Sequence, residues 1–499
     1  MSEKHSYGEI LKSSALIGAS SVVTIAIGIV RTKAMAVMLG PTGFGLMGLY
    51  GSIVDLAFSI ASMGVGSSGV RQIAHAVGTG ELDRIGRAAA VLRRTSIVLG
   101  IFGAAMVAAF AMPISTLTFG TSDYALPVVM LSLAVLLRVV SAGQGAIIQG
   151  MRRIYDFSIM GVLGALFGTA TSIALVYLLG VAGVAPALVA SAALGILASW
   201  WFSKRIAVEV PLMTGSEFRS EATALLKLGF AFAASGILTM GAAYAVRALV
   251  VHVVGLDSAG FYQAAWTLGG LYVGIILQAM GTDFYPRLVA VSDDHPQCNR
   301  LVNEQAQVSM LLAAPGVIGT LTFAPFVIHL FYAANFSEAV DLLRWICLGI
   351  ALRVITWPMG FIIVAKNRQV LFFSAELAWT SVNVGLTWLC LQWYGLSGAG
   401  IAFFASYVFH ALAIYPIVRR LSGFRWSRAN VKTALFSLAL TAAAFCGFQV
   451  LSPLQATVFG TLMTVLSVAF STRTLVRVIP AEQILWRVWQ LSTIGKRSQ

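Results

Sequence analysis

The stretch LRVVSAGQGAIIQGMRR (Leu137–Arg153) recurs as LRVITWPMGFIIVAKNR (Leu352–Arg368), 215 residues further along the chain. The same offset produces further matches, namely Gly180 with Gly395, Gly183 with Gly398, and LGPTGFG (Leu39–Gly45) with VGLDSAG (Val254–Gly260). Internal repeats in an apolar chain are typical of secondary transporters, in which two copies of one helical bundle enclose the substrate site. The sequence therefore predicts a duplicated bundle.

Each copy is built from apolar runs long enough to cross a membrane. Charged residues make up only 10% of the chain, whereas a soluble domain has about 25%. A helix of about 20 apolar residues spans the hydrocarbon core. Such spans are predicted at roughly 11–39, 44–68, 92–115, 124–149, 155–179, 182–203, 224–254, 259–282, 304–332, 339–365, 370–393, 397–418, 431–451 and 454–472. The predicted fold class is an all-α polytopic membrane protein with about fourteen transmembrane helices.

Positive side chains fall in alternate connections between these spans. The clusters are Arg71, Arg84, Arg87, Arg93 and Arg94; Arg152 and Arg153; Lys204, Arg205, Arg219 and Lys227; Arg287 and Arg300; Lys366 and Arg368; Arg419, Arg420, Arg425, Arg428 and Lys432; and Arg473, Arg477, Arg487, Lys496 and Arg497. Cytoplasmic loops carry such an excess, so both termini are predicted to be cytoplasmic. This placement, and not a nucleic-acid partner, accounts for the net charge of +14.

An even number of spans in each copy makes the repeat parallel, because both copies then enter the membrane from the same side. The predicted domains are an N-terminal lobe at 1–210 with spans 1–6 and a C-terminal lobe at 211–422 with spans 7–12. Residues 423–499 add spans 13 and 14 and a cytoplasmic amphipathic tail.

The connections are too short for catalysis. Membrane-embedded polysaccharide polymerases and ligases need a large outer loop, and inner loops of about 20 residues cannot hold an ATPase domain. The chain has no G-x-x-x-x-G-K-[ST] phosphate loop, and its four cysteines form no C-x-x-C pair. We therefore predict no catalytic residue, no metal site and no cofactor, with transport driven by an ion gradient or by the substrate's own gradient.

The candidate substrate-binding residues are cations that this orientation does not explain. Arg31 and Lys33 lie in the outer half of the first span, and Arg247 occupies the matching place in span 7, one position off the repeat. Arg138 and Arg353 are repeat mates in spans 4 and 10. A charge at membrane depth costs about 3 kcal/mol or more, so it normally faces a wet cavity or a partner. These five cations predict a cavity for phosphate or anionic sugar.

Each of these residues also has a structural interpretation. Arg31 and Lys33 can reach the outer interface, Arg247 can pair with a local acid, and the matched pair in spans 4 and 10 can serve packing. Two acids are candidates for ion coupling. Asp55 in span 2 is either the counter-ion of Arg31 or a proton-titrating site, and Glu376 in span 11 has either an interfacial or a coupling role.

Several segments together carry a family resemblance. They are LGPTGFG, FYPRLVAVSDDH (Phe284–His295), GFIIVAKNRQVLFFSAELAW (Gly360–Trp379) and GAGIAFFASYV (Gly398–Val408). In order and spacing they resemble the O-antigen (Wzx-type) flippases, from the polysaccharide transporter branch of the multidrug/oligosaccharidyl-lipid/polysaccharide exporter superfamily. The resemblance implies a V-shaped pair of six-helix lobes with alternating access. It further implies cations in the cavity, which Arg31 and Arg247 would supply.

The implied substrate is an undecaprenyl-diphosphate-linked oligosaccharide, moved from the inner to the outer leaflet of a bacterial inner membrane with proton coupling. Implied partners are this anionic lipid-linked oligosaccharide, membrane lipids, and the polymerase and chain-length regulator of the same pathway. Many O-antigen flippases have twelve spans, whereas a chain of fourteen spans is similar to the lipid II flippases and to capsule or exopolysaccharide exporters. The identity of the glycan therefore stays open. The alternatives are a lipid II flippase or a drug/cation antiporter, although an antiporter needs an acidic cavity.

Overall fold

The computed structural model describes residues 3–206 and 213–478, which are almost entirely helical. The helices are α1 (Glu3–Ser62), α2 (Val65–Thr79), α3 (Leu82–Ala109), α4 (Ala111–Phe119), α5 (Ala125–Gly150), α6 (Ile154–Leu179), α7 (Val184–Lys204), α8 (Gly215–Val254), α9 (Leu256–Ala290), α10 (His295–Thr322), α11 (Ala324–Phe331), α12 (Ala339–Ala365), α13 (Gln369–Tyr394), α14 (Ser397–Ser422), α15 (Arg428–Val450) and α16 (Pro453–Val478). The predicted amphipathic tail lies outside the described residues.

Eleven helical segments in the described ranges are long and apolar enough to cross a membrane, or twelve if α10 and α11, bent by 82°, form one span. Two of the eleven contain an internal break. Backbone angles interrupt α1 at Gly40, and the segment Ile154–Lys204 consists of α6 and α7 joined by a 3₁₀ turn at Gly180–Gly183. The all-α polytopic fold is confirmed, and the number fourteen stays a prediction.

Packing divides the chain into two compact units. The first extends through Gln263 and also includes Leu330–Phe336, and the second includes Ala264–His329 and the described residues from Ser337 onward. Helix α8 belongs to the first unit, and Gly229 on α8 packs closely against the turn between α1 and α2. A Cβ atom on Gly229 would lie 3.2 Å from the carbonyl carbon of Gly64. The division at 210 and 422 stays a prediction from the repeat.

The backbone repeats its rare conformations at the offset seen in the sequence. Gly180 and Gly395 have φ angles of 59° and 56°, with ψ angles of −137° and −141°. Arg152 and Asn367, which follow α5 and α12, have φ angles of 58° and 54°. Positive φ is uncommon outside glycine, so coincidence at matched positions is improbable. The internal repeat is therefore also present in the backbone.

Within the first unit, the two copies meet through equivalent residues. A Cβ atom on Gly45 would lie 2.6 Å from the carbonyl oxygen of Leu256, and one on Gly260 would lie still closer to the carbonyl oxygen of Pro41. Gly45 and Gly260 are repeat mates, as are Pro41 and Leu256. The contacts are thus reciprocal about a local two-fold axis, and only residues without a Cβ allow this approach.

Hydrogen bonds follow the same reciprocal pattern. The Lys33 ammonium donates to the carbonyl oxygen of Tyr332, which follows α11. Conversely, Nε2 of His252 in α8 lies 2.7 Å from the carbonyl oxygen of Leu117 in α4. Leu117 and Tyr332 are repeat mates, so the first helix of each copy bonds the matching carbonyl group of the other.

We expect Gly260→Leu to destabilise the protein strongly, since its side chain would occupy the position of the Pro41 carbonyl group. Overpacking a tight contact costs about 1–3 kcal/mol or more. The measurement is the fraction of detergent-purified protein that remains monodisperse after heating. Gly270→Leu, on the same helix α9, is the control because a Cβ there meets nothing within 4 Å. Equal heat resistance of the two variants would contradict the close contact.

Candidate functional site: a cationic cavity in the first unit

A cavity of about 630 Å³ lies within the first unit. Among the described residues that line it, the charged ones are Arg31 of α1 and Arg138 of α5. Small residues create much of the space, since a Cβ atom at Gly51 or Gly195 would meet nothing within 4 Å. The cavity walls come from α1, α2, α5, α6 and α7, so rigid helices hold the two guanidinium groups.

Arg138 is paired inside this cavity. Its Nη1 donates to Oδ1 of Asp55 at 2.7 Å, and its guanidinium lies 5.0 Å from the ring centroid of Phe58. The two charged side chains are 39% and 46% exposed, so the pair contributes at most about 1 kcal/mol to stability. Its effect is to orient a guanidinium that has five N–H donors and uses one of them on Asp55.

Arg31 differs because part of its guanidinium lacks a partner. Its Nε is buried and has no hydrogen-bond partner in the part of the chain that the structure describes. A buried unsatisfied donor costs about 1–3 kcal/mol, and more when it belongs to a charged group. An anion in the cavity would relieve that cost. Asp55, which the sequence offered as a counter-ion for Arg31, pairs with Arg138 instead.

Two other predicted cations make separate contacts within the same unit. Nε of Arg247 donates to Oε1 of Gln263 at 2.9 Å, and its Nη1 donates to a backbone carbonyl group one turn back in α8, also at 2.9 Å. Its observed partner is thus an amide and not a local acid. Lys33 bonds the Tyr332 carbonyl group described above. Neither residue is among those that line the cavity.

Arg353 and Glu376 lie in the second unit, in a cluster of aromatic and polar groups. Glu376 lies one turn before Trp379 on α13, and Arg353 lies on α12, which packs against α14. The ring of Tyr407 lies 5.3 Å from that of Trp379 and 5.8 Å from that of His410. Within the described residues, Trp379 Nε1 and His410 Nδ1 are buried without hydrogen-bond partners. The sequence indicated the two charged members of this cluster and missed the three rings.

Matching positions of the repeat therefore carry very different side chains in the two units. Glu376, Trp379, Tyr407 and His410 have as repeat mates Gly161, Gly164, Ala192 and Gly195. Of these small residues, Ala192 and Gly195 line the cavity beside Arg138, the repeat mate of Arg353. Beside Arg138 these positions leave open space, whereas the matching positions in the copy that contains Arg353 carry large polar side chains. Comparing the copies position by position would have found this difference in the sequence.

Comparison with known proteins agrees with a transporter architecture. The sequence profile of the family described as "Polysaccharide biosynthesis protein" matches residues 34–341, which is more than half of the chain. The chain belongs to this polysaccharide biosynthesis protein family. The predicted resemblance to polysaccharide transporters is thereby confirmed. Curated relatives of this family member include the "Lipid III flippase" of Escherichia coli (strain K12), which is 24% identical over 409 residues, or 80% of this chain and 95% of the relative. The "Lipid III flippase" of Shigella flexneri matches equally.

Solved structures share the fold of this polysaccharide biosynthesis protein. "Lipid II flippase MurJ, inward closed conformation" superposes with a TM-score of 0.66 at 14% identity, over 93% of this chain and 100% of that chain. An inward-facing multidrug resistance MATE family transporter of the MOP superfamily gives 0.65 at 16% identity, over 80% and 96%. The relatives are flippases and transporters, not enzymes, which agrees with the prediction of a non-catalytic protein.

Proposed function

We propose that the protein is a flippase that moves an undecaprenyl-diphosphate-linked oligosaccharide from the inner to the outer leaflet of a bacterial inner membrane. The cationic cavity is the observation that supports this function most directly. Arg31 and Arg138 present planar guanidinium groups, which bind phosphate oxygens in bidentate fashion. A cavity of about 630 Å³ is within the usual range for ligand sites and can hold a diphosphate with adjoining sugar.

The oligosaccharide is proposed to be a repeat unit of O-antigen, capsule or exopolysaccharide. The likeness to proteins named lipid III flippases supports a lipid-linked glycan over most of the chain. The structural likeness to a lipid II flippase extends over the whole of that protein, so lipid II is the second candidate substrate. A drug/cation antiporter has less support, because two arginines line the cavity and Asp55, which pairs with Arg138, is not among the lining residues.

Orientation and partners complete the proposal. Both termini are proposed to be cytoplasmic because alternate connections carry the positive charges. The polymerase and the chain-length regulator of the same glycan pathway are the proposed partners, since they would consume the exported lipid-linked units. The two repeated bundles are proposed to alternate in exposing the cavity to either side of the membrane.

Deleting the gene tests this function in a strain without a redundant flippase. We expect loss of one surface polysaccharide and accumulation of its lipid-linked unit on the cytoplasmic side. Arrested peptidoglycan synthesis with accumulated lipid II would support the second candidate instead. An intact surface glycan, or a change in drug sensitivity alone, would contradict the proposed function.

For ion coupling, we propose Glu376, with Asp55 as the second candidate. Glu376 belongs to the second unit and does not line the cavity, so a proton taken up there need not displace substrate. We expect Glu376→Gln to abolish the acceleration of transport by an imposed pH gradient and to leave gradient-free transport within about two-fold.

Proteoliposomes with a set internal pH provide this measurement. Asp55→Asn forms a second arm, and Glu338→Gln, just before α12, is the control. An unchanged gradient response of both Glu376→Gln and Asp55→Asn would remove these residues from coupling.

A further inference from the structure

A second cationic site lies in the first unit, outside the cavity. Arg71 and His75 of α2 converge with Arg84 and Arg87 of α3 on a cleft of about 260 Å³. Glu221 of α8 contributes the carboxylate of this cleft. Three arginines and one glutamate therefore line the cleft, so cations outnumber acids on its surface.

The rule that places cations in cytoplasmic loops does not require this convergence. Scattered charges satisfy that rule, whereas here side chains from three helices share one concave surface. Arg84 pairs with the exposed Glu81 at 3.3 Å, and Arg71 and Arg87 are the other two arginines that line the cleft. Nε of Arg87 is buried and, among the described residues, has no hydrogen-bond partner. This N–H group therefore lacks an acceptor in a cleft whose charged lining is mostly cationic.

Helix α2 connects the cleft to the cavity. Ser67 and Val70 line the cavity, and the next residue, Arg71, lines the cleft. Helix α2 would thus separate a group bound in the cleft from Arg31 and Arg138 in the cavity. The order of the two sites along α2 fits capture of a charged headgroup followed by its transfer.

We infer that this cleft binds a phosphate-bearing lipid headgroup. Resting on the proposed function, the occupant is the diphosphate of the lipid-linked substrate, held there before it reaches the cavity. Guanidinium groups from two helices can bridge neighbouring phosphate oxygens. The headgroup of an anionic phospholipid presents the same chemistry, and the test separates the two sources.

The test uses the full-length protein in phosphatidylcholine nanodiscs with farnesyl diphosphate as the probe, in an Arg31→Ala background that weakens cavity binding. We expect Arg87→Gln and Arg71→Gln each to weaken probe binding about ten-fold, because each loses a charge-assisted hydrogen bond. Arg94→Gln is the matched control. It removes the same charge from α3, and Arg94 lies 5.9 Å from the Phe218 ring and does not line the cleft.

A second arm repeats the measurement in nanodiscs that contain phosphatidylglycerol. Retained probe binding identifies the diphosphate as the preferred occupant. A phospholipid headgroup is identified by a different pair of results. Phosphatidylglycerol then abolishes probe binding, and native mass spectrometry shows phosphatidylglycerol bound to the control but not to Arg87→Gln. Equal affinity of Arg87→Gln, Arg71→Gln and Arg94→Gln for both lipids would overturn the site. Glycan export is measured separately, so failure of the cleft and failure of the proposed flippase are distinguishable.

Discussion

Arg31→Ala should abolish export of the surface glycan while the protein remains folded in the membrane. The Arg31 guanidinium lines the cavity, and its buried Nε has no partner among the described residues. Removing it takes away a charge that the substrate would neutralise and relieves a cost in the empty protein. We therefore expect surface glycan to fall at least about 30-fold, in line with the 2–5 kcal/mol lost when one partner of a buried charge pair is truncated.

Surface glycan is measured by immunoblot in the deletion strain carrying each variant, together with the amount of protein in the membrane. Arg300→Ala is the control, because this exposed arginine pairs with Glu304 in its own helix at 2.8 Å and does not line the cavity. Arg31→Lys should recover part of the export, since it keeps the charge and loses the planar donors. Full export by Arg31→Ala would return this residue to an interfacial role.

Gly195→Phe should also abolish export, by filling the cavity. A Cβ atom at Gly195 meets nothing within 4 Å, so the ring can enter the open space without displacing backbone. The second unit already carries a large ring, His410, at the matching position. We expect export to fall at least ten-fold and thermal stability to remain close to that of the parent.

The readout is again surface glycan, with heating of purified protein as the measure of folding. Gly385→Phe is the matched control, because a Cβ atom there also meets nothing within 4 Å and the residue lies on an exposed face of α13. Normal export by Gly195→Phe would show that the substrate does not use this cavity.

Periodicity and repetition predicted most of the fold. The duplicated segments around Arg138 and Arg353 predicted two copies, and the backbone repeats its positive φ angles at Gly180 and Gly395. What the sequence could not predict was the packing of α8 with the first unit. That packing includes a close approach at Gly229, and nothing in an apolar run distinguishes such a glycine from one that faces lipid.

The sequence predicted the candidate site less completely, because the place of a residue along a span does not show which neighbouring helix its side chain faces. Arg31 and Arg247 lie one position apart in the repeat, yet one lines the cavity and the other bonds Gln263. The pairing of Asp55 with Arg138 likewise joins two helices whose facing sides no local pattern specifies. Residue type predicted that these charges need partners, and tertiary packing decides which ones.

The reciprocal contact of Gly45 and Gly260 has a consequence for the origin of the chain. Two identical subunits related by a two-fold axis make contacts of this self-complementary kind. A six-span ancestor that inserted in one orientation could therefore have closed the same contact as a homodimer, before its gene was duplicated and fused. In a fused chain the two halves are free to differ, and they do so at one matched position, where Gly195 leaves open space and His410 supplies a ring.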